Sequence, residues 1–367
     1  MATTGTWIRL CKMHNLILFS CVLLSSCSKR PSEITLLWVN RRATGISIPK
    51  SLTEGITDSV EKRLVVRLLS KGKLIAMLGN CKIGNDDIVF EPLIPFTRGL
   101  QYEVLVNNHS LGKIKIPEPD PGEAPALLAI YPTQDTVPEN LLKIYLHFSK
   151  PMREGQSLRH IALLKNNRDT VRNVFLDLQP ELWNADRTTL TVWLDPGRIK
   201  RDLQPNKLLG PPLQEGGDYT LIVSDQWKDI QGSALVKSYH RNFAVTSRDS
   251  LSPDPQTWTI HNRQPDHSLE VDFKSPLDYG LLSTTLHVVD EKETEVLGAW
   301  QIGDEEKKAS FLPDSPWVEG SYLLQIETRL EDLAGNNLNR AFDVDVRNKT
   351  KEASKGKMVS LPFSIEN

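Results

Sequence analysis

The chain has 367 residues, and 44 lysines and arginines set against 46 aspartates and glutamates leave a formal net charge of −2. That length exceeds one ordinary sandwich and suits two or three domains of roughly 100 to 150 residues each. The balanced charge excludes a dedicated nucleic-acid binder, which carries a basic excess, and 39% hydrophobic with 25% charged residues excludes a disordered or membrane-spanning chain.

The N-terminus differs from the rest. Arg9 and Lys12 supply a basic flank to a nine-residue, largely apolar run at 16–24. Such a run is far shorter than the roughly 20 residues that span a bilayer, and it matches the core of a signal peptide. Leu24-Ser25-Ser26-Cys27 follows. It resembles the bacterial lipobox, which implies cleavage after residue 26 and diacylation of Cys27. An ordinary secretory signal with a chance cysteine is the alternative, and Met13 is a second candidate start. A lipidated Cys27 holds the mature chain at a membrane without a spanning helix. Ser28 stands where, by analogy with enteric bacteria, an aspartate retains a lipoprotein at the inner membrane, so an outer-membrane site is expected, on either face. Beyond Cys11, Cys21 and Cys27 only Cys81 remains. An internal disulfide is thereby excluded, and nothing flanking Cys81 points to an activated thiolate.

Twenty-three prolines and 21 glycines suit short strands joined by turns, and the strands repeat. Around Ile144, Leu146 and Phe148 apolar residues alternate and end in Phe148-Ser149-Lys150-Pro151-Met152; around Leu269, Val271 and Phe273 they end in Phe273-Lys274-Ser275-Pro276-Leu277. Period-two alternation predicts a strand with one buried face, and proline, lacking an N–H, stops the ladder. Each copy then carries a second signature. Gly217-Asp218-Tyr219 leads to Asp229-Ile230-Gln231-Gly232, and Gly320-Ser321-Tyr322 leads to Asp332-Leu333-Ala334-Gly335-Asn336, with ten residues from tyrosine to aspartate in both. A degenerate third copy precedes them, with Phe90-Glu91-Pro92 and Gly99-Leu100-Gln101-Tyr102.

These signatures predict sandwich domains at 33–117, 126–246 and 256–367, joined by the proline-bearing segment 118–125 and a second boundary near 247–255. Neither boundary reads as a long tether. The stretch 348–357 is polar, and Val359, Leu361, Phe363 and Ile365 alternate as a final strand would. Phe148 to Tyr219 spans 71 residues and Phe273 to Tyr322 spans 49, so the middle domain carries an insertion, placed near 197–216.

At Tyr131-Pro132, Phe148-Ser149-Lys150-Pro151-Met152, Tyr219, Tyr322 and the two Asp-x-x-Gly turns, the chain resembles the bacterial Ig-like repeat of surface-layer and other exported proteins. The resemblance covers about 127–346 and implies an all-β fold of tandem Ig-like β-sandwiches. It is almost silent on function, since such domains serve as spacers, adhesins and accessory modules. The tyrosine is expected to tie a neighbouring loop through its hydroxyl, as in a tyrosine corner. The aspartate is expected to take turn amides, with glycine at positive φ. Calcium at Asp332 and Asn336 is the alternative, but calcium needs six to eight oxygens and no second acidic cluster has the right spacing.

No catalytic pattern emerges. His14, His109, His147, His160, His240, His261, His267 and His287 are scattered, without zinc spacing, a nucleophile elbow or a phosphate loop. No cofactor, metal or catalytic residue is assigned. Asp86-Asp87 and Asp304-Glu305-Glu306 read as solvated turns. Two features bear on binding. Arg198, Lys200 and Arg201, in the insertion, form a candidate loop for an acidic partner, or a solvated basic loop. Seven tryptophans follow the signal segment: Trp38, Trp183, Trp193, Trp227, Trp258, Trp300 and Trp317. Packing is expected to claim most of them. Trp193 lies opposite the core-facing Leu190, Val192 and Leu194, under a loop or neighbouring domain. Aromatic faces also stack on sugars, so the expected function is a non-enzymatic, lipid-anchored envelope spacer or protein-interaction module, with glycan or surface-ligand binding as the alternative.

Overall fold

Alternating side chains become strands with unlike faces. In the strand Lys143–Phe148, Ile144, Leu146 and Phe148 point into a core and are buried, as the period of two requires. The computed structural model describes residues 33–53, 63–70, 73–263, 268–343 and 356–366. The expected export segment with Cys27, and most of the polar stretch 348–357, lie outside the described residues.

The described chain divides into two compact units, the first holding residues 33 to Ile114 apart from Asn40–Arg42 and Phe96–Leu100, and the second holding the rest. The first unit is built from two four-stranded sheets. One contains Arg42–Pro49 paired with Asp87–Pro92, and the other contains Leu64–Ser70 paired with Gln101–Val106. Ile46, Ile48 and Ile88 from one sheet and Val66, Tyr102 and Val104 from the other are almost wholly buried. Cys81 lies half-buried on the strand Gly79–Ile83.

The second unit contains two sandwiches. In the middle one, a five-stranded sheet centred on Asp218–Val223 faces a four-stranded sheet ordered Leu182–Trp183, Thr189–Trp193, Lys143–Phe148, Leu127–Tyr131. Its short strand Thr136–Pro138 runs parallel to Tyr239–Thr246 at the sheet edge, in an otherwise antiparallel arrangement. Leu146, Phe148, Leu163, Leu190, Leu221, Val223 and Trp227 belong to one apolar core drawn from both sheets. The last sandwich packs a four-stranded sheet around Ser268–Asp272 and Lys308–Pro313 against a three-stranded one. That smaller sheet is closed by Met358–Ile365, paired along all of Gly320–Glu327. Its core includes Leu269, Val271, Phe273, Leu324 and Ile326.

The repeated signatures explain how each sandwich is stapled. Met152, which follows the proline of the first signature, forms a bridge with Asp229 of the second, and Leu277 forms the same bridge with Asp332. In both copies a strand end and a turn far apart in sequence meet at one corner. The tyrosines act as corners too. The Gln214 amide donates to the Tyr219 hydroxyl at 3.0 Å, and the Tyr322 hydroxyl donates to the Val318 carbonyl at 2.8 Å.

Candidate functional site

The polar face of the strand Lys143–Phe148 is not open to water. Lys143 and Tyr145 alternate with the core residues, yet Tyr145 is only 7% exposed. The last sandwich covers it with the helix Tyr279–Thr285. Gly280 permits the approach, because a Cβ there would lie 2.6 Å from the Tyr145 ring. Asp278 caps that helix by accepting from the Leu281 amide, and also accepts from the Tyr145 hydroxyl at 2.6 Å. The Lys143 ammonium then reaches Asp278 at 3.1 Å and Glu331 at 2.7 Å. Burial pulls the Lys143 pKa down, and the two carboxylates more than offset it, so it stands above its ordinary value and the ammonium stays charged. Burial, then the Asp278 charge, raises Tyr145 and keeps it a neutral donor.

A second knot lies at the turn after Tyr131. The Thr133 amide and hydroxyl and the Gln134 side-chain amide all donate to the Glu306 carboxylate, at 2.8–3.2 Å. Gln134 also donates to the Glu305 carbonyl. Glu306 is wholly buried. The expectation that Asp304-Glu305-Glu306 is a solvated turn therefore fails at Glu306, whose acceptors are taken by donors 172 and 173 positions away. Glu305 and Glu306 hold left-handed φ of +58° and +52°. Such a backbone costs roughly 1–3 kcal/mol per residue and persists only where the surroundings fix it; here Thr133 and Gln134 do so.

The boundary segment is pinned in the same way. Asn140 exchanges two hydrogen bonds with the Asp249 backbone. Arg248 bonds Asp343, Glu139 and the Ile199 carbonyl. The Leu142 amide donates to the Leu333 carbonyl across the junction at 2.9 Å. Gly335 sits at φ +81°, where a Cβ would run into Leu142.

Between the two sandwiches, beside these contacts, an open cleft of about 580 Å³ remains. Its floor is the outer face of the four-stranded sheet, where Leu182, Thr191, Tyr145 and Tyr131 are successive cross-strand partners. Its wall comes from Tyr279 and Ser283 of the helix and Trp300 of the strand Gly298–Ile302. Tyr131 and Tyr279 stack with ring centroids 3.5 Å apart.

The structure does not assemble the expected basic loop as one surface. Arg198 is 5% exposed, and its guanidinium donates to the carbonyls of Arg172, Asn173, Leu209, Gly210 and Pro211. The insertion folds into two short helices, Pro196–Ile199 and Gln204–Leu209, and Arg198 satisfies the carbonyls of the chain that wraps it. It faces inward and not toward an acidic partner. Lys200 lies over the Phe342 ring at 4.2 Å, and Arg201, still exposed, pairs with Asp343. Of the tryptophans, Trp227 and Trp258 are core residues, Trp38 is 40% exposed and the others are half-buried. Trp193 lies on the outer face beneath the Lys143 ammonium, 5.2 Å from it, while Leu190, Val192 and Leu194 are buried.

In the Asp-x-x-Gly turns the carboxylates serve the backbone. Asp229 Oδ1 accepts from the amides of Gln231 and Ser233. Asp332 Oδ1 accepts from Ala334 and Asn336, and its Oδ2 accepts from Asn336 Nδ2, whose own carbonyl oxygen takes the Phe342 amide. A calcium ion would have to displace these donors. Among the described residues no group of three or more His, Cys, Asp or Glu side chains is placed to hold a metal. His147 meets the Thr189 hydroxyl, and His287 meets Glu295 and Glu327.

Burial pushes the Asp332 pKa up from 3.8 to about 7, with its amide partners opposing and the Asp249 charge adding to the rise. The folded chain therefore holds a proton that the unfolded chain has lost. The associated stability is complete below about pH 4 and disappears as pH rises through about 7. Urea unfolding should show the protein more stable at pH 5 than at pH 8, with Asp332 contributing about 2–3 kcal/mol of the difference. Asp332→Asn should remove that contribution, and an unchanged pH profile in the variant would exclude this origin.

No protein-family model matches the chain, and no curated protein is significantly similar to it. Solved structures with a similar course include the N-terminal part of the bacterial S-layer protein SbsC, at 11% identity and a TM-score of 0.24, covering 67% of this chain and 45% of that one. The FN1–FN3 domains of chicken CNTN1 follow at 9% identity, TM-score 0.21, covering 91% and 98%. Titin domains I67–I69 share 11% identity at TM-score 0.19, covering 71% and 82%. This chain thus spans less than half the length of the S-layer structure. The sheets themselves define the class: an all-β protein of tandem Ig-like β-sandwiches. No helix among the described residues is long and apolar enough to cross a membrane.

Proposed function

We propose that this is a non-enzymatic, lipid-anchored protein of the bacterial cell envelope, of the bacterial Ig-like repeat kind found in surface-layer and exported proteins. It acts as a spacer and interaction module. The observation that carries the reading is the use made of its polar residues. Asp229, Asp332, Lys143, Asp278, Glu306 and Arg198 are all spent on turns, on the junction between sandwiches or on an internal loop. That is the investment of a scaffold and not of a reaction centre. Cys27, after Leu24-Ser25-Ser26, is the attachment point, and Ser28 favours the outer membrane.

The test is fractionation with metabolic labelling by a palmitate analogue. Wild type should carry label and sediment with membranes. Cys27→Ala should lose the label and appear in the soluble fraction, while Cys81→Ala should remain labelled and bound. Unlabelled, soluble wild type would replace the anchor with a secreted or periplasmic role.

A further inference from the structure

We propose that the cleft between the middle and last sandwiches binds a neutral oligosaccharide. The proposal deepens the interaction-module reading by naming a ligand class. Its grounds are the chemistry and the construction of the cleft.

None of the side chains lining the cleft is charged. Tyr131, Tyr279 and Trp300 supply aromatic surface, and Thr189, Thr191 and Ser283 supply hydroxyls. A pyranose ring needs that combination. Its C–H faces pack on aromatic rings, which keep a polar edge, and its hydroxyls both donate and accept, as do threonine and serine side chains. An anionic chain or a phosphate finds no cation among the lining residues. An extended peptide is poorly served too. The strand Leu182–Trp183 forms the sheet edge there, and its two residues are too few for strand addition, which draws on a row of main-chain hydrogen bonds.

The cleft is also preformed. Its floor belongs to one sandwich and its wall to the other, and the Lys143–Asp278–Glu331 and Thr133–Glu306 contacts hold the two in register. A ligand therefore does not have to order the site on arrival. At about 580 Å³ the space falls within the roughly 300–1,000 Å³ usual for small-ligand sites.

Tryptophan fluorescence of the purified full-length protein in detergent would be titrated with the hexasaccharides of cellulose, amylose, xylan and chitin, and with polygalacturonate as a charged comparison. At least one neutral hexasaccharide should shift the emission saturably below millimolar concentration, and polygalacturonate should not. Ser283→Arg, at an exposed position on the helix, should weaken binding at least about tenfold without lowering Tm, because it blocks the cleft and touches no core. Trp300→Ala should weaken it as well. The inference is overturned if no neutral hexasaccharide binds, if binding survives Ser283→Arg unchanged, or if polygalacturonate binds as well. Cys27→Ala should keep sugar binding intact, so a failed anchor and a failed cleft give different results.

Discussion

Replacing Lys143 with methionine is expected to lower stability by about 3–5 kcal/mol, the usual consequence of removing one partner from a buried ion pair. The Lys143 side chain is 10% exposed, Asp278 4% and Glu331 23%. Without the ammonium, two carboxylates face each other in a poorly solvated seam, and neither the methionine nor nearby water neutralises them. The loss should fall on the junction first. Urea unfolding of the wild-type second unit should be one transition, and the variant should separate it into two. Two further measurements isolate the cause. At about pH 4 the penalty should shrink, because the stranded Glu331 carboxylate, already raised by burial, takes up a proton, and Lys143→Met combined with Glu331→Gln should recover part of it. A loss below about 1 kcal/mol, as at an exposed pair, would mean that the seam is wet.

Trp227→Ala should be comparably damaging, at about 3–5 kcal/mol. Trp227 is wholly buried. Its ring meets Phe148 edge-on with centroids 5.1 Å apart, stacks on His160 at 5.6 Å and meets Trp183 at 5.9 Å, while its Nε1 donates to the Arg153 carbonyl. Truncation leaves a large void among aromatic neighbours that are anchored on different segments and cannot close in, and it removes the donor to the Arg153 carbonyl. Thermal unfolding monitored by near-ultraviolet circular dichroism would measure it, and a Tm within a degree or two of wild type would contradict so central a role.

The two repeated signatures were readable because each is a local solution to a local problem. A proline ends a ladder, and an aspartate two and four residues ahead of amides caps a turn. That Met152 and Leu277 pair with those aspartates could not be read locally, although the shared order of the signatures in both copies was its trace. The junction was not legible. Period-two alternation says that a strand has two unlike faces; it does not say that the polar face is wet. Lys143 and Tyr145 lie on the face opposite the core, and the last sandwich covers both. The aromatic Tyr145 among polar neighbours was the available signal. Glu306 was hidden for a similar reason, as its donors lie on another domain. Arg198 was misread because a basic residue in a long loop usually faces water, whereas this guanidinium, with five donors, matches five loop carbonyls. The cleft combines segments around Tyr131, Thr191, Tyr279 and Trp300 that no spacing rule connects.

Amide hydrogen exchange on the full-length protein tests most directly whether the middle and last sandwiches are joined as one body. The Thr133 amide donates to Glu306, and the Leu142 amide to the Leu333 carbonyl, both across the junction. If the junction holds, both should exchange about as slowly as the Leu221 amide in the central strand Asp218–Val223. Exchange at the rate of an exposed turn, with Leu221 still protected, would show that the sandwiches swing independently and that the cleft between them is not a preformed site.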